Sequence, residues 1–91
     1  MELQQLVREI HWIEWQLRAF EDKYGLLSRD FYRAMESGQL SEFDDGDEPH
    51  FCDFLEWYAL YKVWLKRERA YRGLLRQQPL PEQLRRVVAV A

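Results

Sequence analysis

One cysteine in 91 residues, Cys52, excludes an internal disulfide and fits a reducing compartment. No apolar run approaches the roughly 20 residues that a membrane-spanning helix needs. The opening Glu2 is not followed by the basic and then apolar pattern of a leader. The expectation is a cytoplasmic protein with no membrane partner. The chain also lacks a glycine-rich phosphate loop, a Ser or Cys beside a second histidine, and paired buried carboxylates. These absences leave no catalytic residue and no cofactor to nominate, so no enzymatic activity is expected. There is no internal repeat, no low-complexity tract and no linker, which predicts a single helical domain over 1–91.

A chain this short buries only about 60 to 65% of the surface its unfolded form exposes, so a monomer would be marginal. Composition compensates. Hydrophobic residues make up 47% of the chain and aromatics 15%, and each buried aromatic removes about 150–250 Å² from water. The net charge of −3 argues against general nucleic-acid coating, but it conceals an asymmetry. Between Glu42 and Glu56 every ionisable residue except His50 and Cys52 is acidic, whereas from Lys62 onward eight basic residues face only Glu68 and Glu82. One end of the molecule should be acidic and the other basic.

The first helix, about 2–24, is apolar on two opposite sides. Leu3, Leu6, Ile10, Ile13, Leu17, Phe20 and Tyr24 alternate at three- and four-residue spacing, forming one seam for one partner helix. Trp12 and Trp15 project about 130° and 170° from that seam, into a sector that a two-helix arrangement leaves in water. Gly25 offers a left-handed stop. Ser28 is expected to cap a short second helix, about 29–37, presenting Phe31, Tyr32 and Met35 and ending at Gly38. An acidic loop, 39–48, follows.

The third helix should run from about 48 to 77, with Asp47 as its cap and Pro49 in its first turn. Its apolar arc includes Phe54, Trp57, Tyr58, Tyr61, Trp64, Tyr71 and Leu75 and spans roughly 160°, wider than one helix fills. Glu68, near the middle of that arc, is expected to pair with Arg8 and set the register. The tail, 78–91, is punctuated by Pro79 and Pro81. Its Leu84, Val87, Val88 and Val90 suit either a short helix or a strand added to a partner's sheet. The predicted fold is therefore all-α: an antiparallel helical hairpin of two long helices, a short connecting helix that closes its open end, and a proline-punctuated tail.

The run from Asp44 to Asp53 gathers carboxylates, His50 and Cys52 but matches neither a calcium loop nor a zinc spacing, so no metal is expected. His11, one turn from Arg8 and Glu14, fits neither a di-iron bundle nor a helical ribonuclease and reads as a surface residue. Lys62, Lys66, Arg69 and Arg76 fall on one side of the third helix and are the candidate phosphate contacts. Against that reading, a basic face opposite an apolar arc is what any solvated helix shows. The candidate partner-binding residues are Trp12, Trp15, Trp57, Trp64 and Tyr71.

The stretch from Phe20 through Glu21, Lys23, Tyr24, Gly25, Ser28, Phe31 and Tyr32, then Gly38 and Leu40, then Asp53, Glu56, Trp57, Leu60 and Tyr61, resembles a family of small prokaryotic helical proteins. That family is associated with toxin–antitoxin gene pairs, on the antitoxin side. The resemblance covers residues 20–61, with Leu26 standing where the pattern has Met. It implies a non-catalytic protein that neutralises a small toxin by direct binding. The residues alone leave two other readings open, a self-associating helical scaffold and a nucleic-acid-associated regulator.

Overall fold

The computed structural model describes residues 2–90, with the side chain of Val90 excepted. Met1, Ala91 and the Val90 side chain, which belong to the expected domain and tail, lie outside the described residues. Four α-helices follow one another: α1 (Leu3–Tyr24), α2 (Ser28–Glu36), α3 (Phe51–Gln77) and α4 (Leu80–Val90). A 3-10 turn, Ser41–Phe43, lies between α2 and α3, and there is no strand among the described residues. The tail, undecided from sequence, is helical over Leu80–Val90. Pro81 sits in its first turn, where no N–H is needed, and the Pro79 carbonyl accepts from the N–H groups of Glu82 and Gln83.

The seam of α1 is buried as its spacing dictates: Leu3, Leu6, Ile10, Ile13 and Leu17 are all inside. Its partner is α3. Tyr24 and Lys23 reach Asp53, Glu14 reaches Trp64, and Glu9 reaches Arg67, so positions fall along α1 as they rise along α3 and the two helices run in opposite directions. The result is elongated, 54 × 23 × 20 Å.

α2 crosses one end of this pair. Its Phe31 lies parallel to Trp57 with ring centroids 3.8 Å apart, and Tyr32 packs against Tyr58 and Tyr61. Trp57 is 0% exposed and is also flanked by Phe20 and Tyr24, each at 5.7 Å. Burying one such indole removes enough apolar area to favour folding by on the order of 4 to 6 kcal/mol before entropy is counted.

Three sequence expectations need correction here. Ser28 is not the cap of α2 but its first helical residue; Leu27, with φ −74° and ψ 147°, holds the cap position. The Glu21 carboxylate does the capping from the preceding helix: one oxygen accepts both the Ser28 backbone N–H at 2.8 Å and its hydroxyl at 2.7 Å. This places a negative charge at the positive end of the α2 dipole. The intervening turn needs Gly25, whose φ of 72° is a left-handed conformation costly for a side chain, and whose N–H bonds the Glu21 carbonyl.

α3 begins at Phe51 rather than 48, with His50 at its cap position. The carboxylate of Asp45 captures the N–H of Asp47 at 3.0 Å and closes a local turn, and Pro49 belongs to that turned approach instead of the helix. The acidic loop is also less free than its composition suggests. Leu40 packs on the core and Phe43 meets Phe54 edge-on at 5.5 Å.

Glu68 does not pair with Arg8. It bonds Arg72 on its own helix at 3.0 Å, while the neighbouring Arg67 pairs with Glu9 of α1 at 3.3 Å. Both members of that pair are about one-third exposed, which limits its contribution to roughly 1 kcal/mol or less.

Ser28, 3% exposed, accepts the indole N–H of Trp57 at 2.9 Å and donates to Glu21. Ser28→Ala leaves the buried Trp57 N–H without its acceptor and removes one of the two bonds to the Glu21 carboxylate, and should destabilise the protein by about 1–3 kcal/mol. Urea denaturation followed by Trp fluorescence checks this; an unchanged midpoint would mean the relay contributes nothing.

Candidate protein-binding face

The sector of α1 opposite its seam is largely exposed, with Glu56 of α3 bordering it beside Trp15 and Arg8 sharing a groove with Tyr71 and Leu84. Trp12 is 63% exposed and Trp15 70%, less than one helical turn apart, with Arg8, His11, Arg18 and Ala19 exposed around them. α2 could in principle have covered them, but its aromatic side is spent on Trp57, Tyr58 and Tyr61. Beside Trp15 lies a depression of about 550 Å³ lined by Trp15, Gln16, Arg18, Ala19, Phe20, Asp22 and Glu56, so this indole borders a concave surface that carries two carboxylates and one arginine.

The other nominated aromatics are placed differently. Trp57 cannot touch a partner, because it is the centre of the core. Trp64 is half-buried and committed within the chain: its indole N–H donates to Glu14 at 3.1 Å, and its ring stacks on Tyr61 at 5.4 Å. Tyr71 is half-buried in a groove of about 470 Å³ that it lines with Leu3, Val7, Leu75, Leu80 and Leu84. The wide arc of α3 is therefore covered largely from inside, by α1 and α2, and around Tyr71 it stays open as the groove shared with the start of α4. Sequence spacing shows that a face is apolar but not which element covers it.

Lys62, Lys66, Arg69 and Arg76 are all exposed, and none forms an ion pair among the described residues. Lys62 lies over the Tyr58 ring at 5.0 Å. On a helical projection these cations point away from α1, so the basic face and the indole face lie on opposite sides of the molecule.

A third polar cluster, unforeseen from sequence, joins the end of α1 to the start of α3. The Tyr24 hydroxyl donates to Asp53 at 2.5 Å, Lys23 meets the same oxygen at 2.6 Å, and His50 Nδ1 lies 3.1 Å from the Tyr24 hydroxyl. A related one joins α2 to α3, where Tyr58 donates to Glu36 at 2.6 Å. The hydrogen bond from Lys23, then that from Tyr24, holds Asp53 below the usual carboxylate range, while its hydrogen bond to Asp53 raises Lys23. Tyr58 and Tyr32 together lower Glu36, and Glu36 pushes Tyr58 up to about 12. Every one of these shifts moves a group away from neutrality, whereas acid–base catalysis at neutral pH needs the reverse. Their chemistry is that of clasps. The only early signal was the recurrence of Tyr, Asp and Glu at the matching ends of successive helices.

Among the described residues no group of three or more His, Cys, Asp or Glu is gathered as metal ligands would be, and no helix is long and apolar enough to cross a membrane. Compared with known proteins, the chain matches no family model, no curated protein and no solved structure.

The pH dependence of stability follows from the clasps. Asp53 and Glu36 have lowered values in the fold, so their contribution is complete above the ordinary carboxylate range and is lost as pH falls from about 4 through the lowered values. Tyr58 is raised, so its contribution is complete below pH 10 and is lost between 10 and about 12. Thermal midpoints across pH should fall on both sides. Asp53→Asn should make the acid limb shallower and Tyr58→Phe the alkaline limb; unchanged limbs would show that the clasps are not formed in solution.

Proposed function

We propose that this protein is a non-catalytic protein-binding module that uses the outward face of α1, and that it serves as the antitoxin of a cytoplasmic toxin–antitoxin pair, neutralising a small toxin by direct contact. The observation that supports binding is the pair Trp12 and Trp15, 63% and 70% exposed on a helix whose other side is fully packed. Two adjacent indoles left in water are costly to a soluble monomer, and buried aromatics are the usual anchors of protein interfaces. In this reading α1 and α3 form a helical hairpin closed at one end by α2, a rigid platform that needs no rearrangement to present the indoles.

The antitoxin assignment draws on the sequence resemblance over residues 20–61. Most residues carrying it serve the fold: Phe20, Phe31, Tyr32, Leu40, Trp57, Leu60 and Tyr61 build the core, Glu21 and Ser28 its polar relay, Lys23, Tyr24 and Asp53 the first clasp, and Gly25 the turn after α1. The resemblance thus speaks for the scaffold, and Trp12 and Trp15, outside it, would set the partner.

A second reading rests on a separate observation. The four exposed cations of α3 could follow a phosphate backbone, which would make the protein a nucleic-acid-associated regulator.

The two readings respond to different substitutions. Trp15→Ala should cost about 2 kcal/mol or more in association with the product of the adjacent gene or with a second subunit. Replacing Lys62, Lys66 and Arg69 by Gln should leave that association nearly unchanged. Calorimetric titration of both variants decides between them. Normal protein binding by Trp15→Ala, together with loss of a salt-sensitive DNA or RNA interaction in the charge variant, would replace the first reading with the second.

A further inference from the structure

We propose that, while no other partner is bound, the α1 face is occupied by a second copy of this chain, packed antiparallel across a two-fold axis so that Trp12 of each copy meets Trp15 of the other. The proposal rests on the reading of this face as a protein-binding surface and names its occupant.

The layout of the face is self-complementary. Arg8 precedes Trp12 by four residues, and Ala19 follows Trp15 by four. A two-fold axis midway between the indoles therefore exchanges Trp12 with Trp15 and sets Arg8 of each copy opposite Ala19 of the other. Ala19 is exposed and small, so it leaves room for an arginine side chain. Asp22 lies one turn beyond, about 4.5 Å further along the axis and within an arginine's reach. Asp22 and Glu56 both line the depression beside Trp15, together with Arg18, so the incoming guanidinium meets a concave surface on which two carboxylates outnumber one cation. Arg8 and Asp22 are both exposed, and neither takes part in an ion pair among the described residues.

The long-range charge distribution favours the same orientation. The carboxylates of residues 42–48 sit at the end of the molecule where α1 finishes, and Arg69, Arg72, Arg76, Arg85 and Arg86 belong to the end where α1 begins. Antiparallel pairing lays the acidic pole of one copy beside the basic pole of the other. Parallel pairing would set like poles together and Arg8 against Arg8. A two-fold interface also closes on itself and leaves no further indole exposed. The basic face of α3, on the opposite side, stays open in such a dimer.

The test uses the full chain in sedimentation equilibrium. The unaltered protein should be a dimer at tens of micromolar, weakened by salt and lost in Trp15→Ala. Arg8→Asp alone and Asp22→Arg alone should each weaken the dimer on the order of tenfold, because each reversal acts at two symmetric contacts. An equimolar mixture of the two variants should restore association, since it places opposite charges at both contacts of the heterodimer. Circular dichroism of each variant confirms that the helices are intact. A monomer at every concentration overturns the proposal; if Trp15→Ala still abolishes binding of the adjacent gene product, the binding-face reading survives with a different occupant. A dimer that ignores both reversals, or that weakens without rescue on mixing, overturns the antiparallel register.

Discussion

The fold depends on how one buried indole is satisfied. Trp57 brings the largest apolar surface in the core, yet its N–H must find an acceptor where there is no water. Ser28 is that acceptor, and its own hydroxyl proton goes on to Glu21, whose carboxylate also caps α2. The chain of bonds thus links all three elements that meet at this end: α1 through Glu21, α2 through Ser28 and α3 through Trp57. Gly25 is the residue that lets the backbone turn tightly enough for Glu21 and Ser28 to meet. Apolar packing draws these helices together, and the relay fixes how they dock.

With that end closed, the rest of the molecule is a two-sided rod. α1 turns its indoles outward on one side, and α3 turns its cations outward on the other. The two surfaces share no residue, so occupation of one does not block the other. A protein that associates through the first could therefore retain an electrostatic surface for a different kind of contact.

Periodicity was enough to identify the buried seam of α1, its glycine stop and the outward position of Trp12 and Trp15, because those follow from the geometry of a single helix. It was not enough for Trp57, whose position in a wide apolar arc is compatible with core or surface until α2 is placed over it. Long-range polar pairing was similarly hidden. Glu68 had a competing partner four residues away on its own helix, Arg72, and the local bond prevailed, while the neighbouring Arg67 made the link to α1 instead. The start of α3 was obscured by Asp45, whose side chain turns the backbone before the helix begins. The candidate site was thus half legible: the exposed indoles could be read, but the separation of partner-facing aromatics from core aromatics required the third dimension.

The crossing of α2 over only one end of the α1–α3 pair makes local stability unequal along the molecule. Near Trp57 three helices interlock, whereas toward Leu3 and Tyr71 the third layer is α4, whose Leu80, Leu84 and Val88 remain largely in solvent. Opening should begin where α4 joins and advance toward the aromatic end, so amide hydrogens around Trp57 exchange last. Any process that acts on locally opened chain would therefore take hold first at the α4 end.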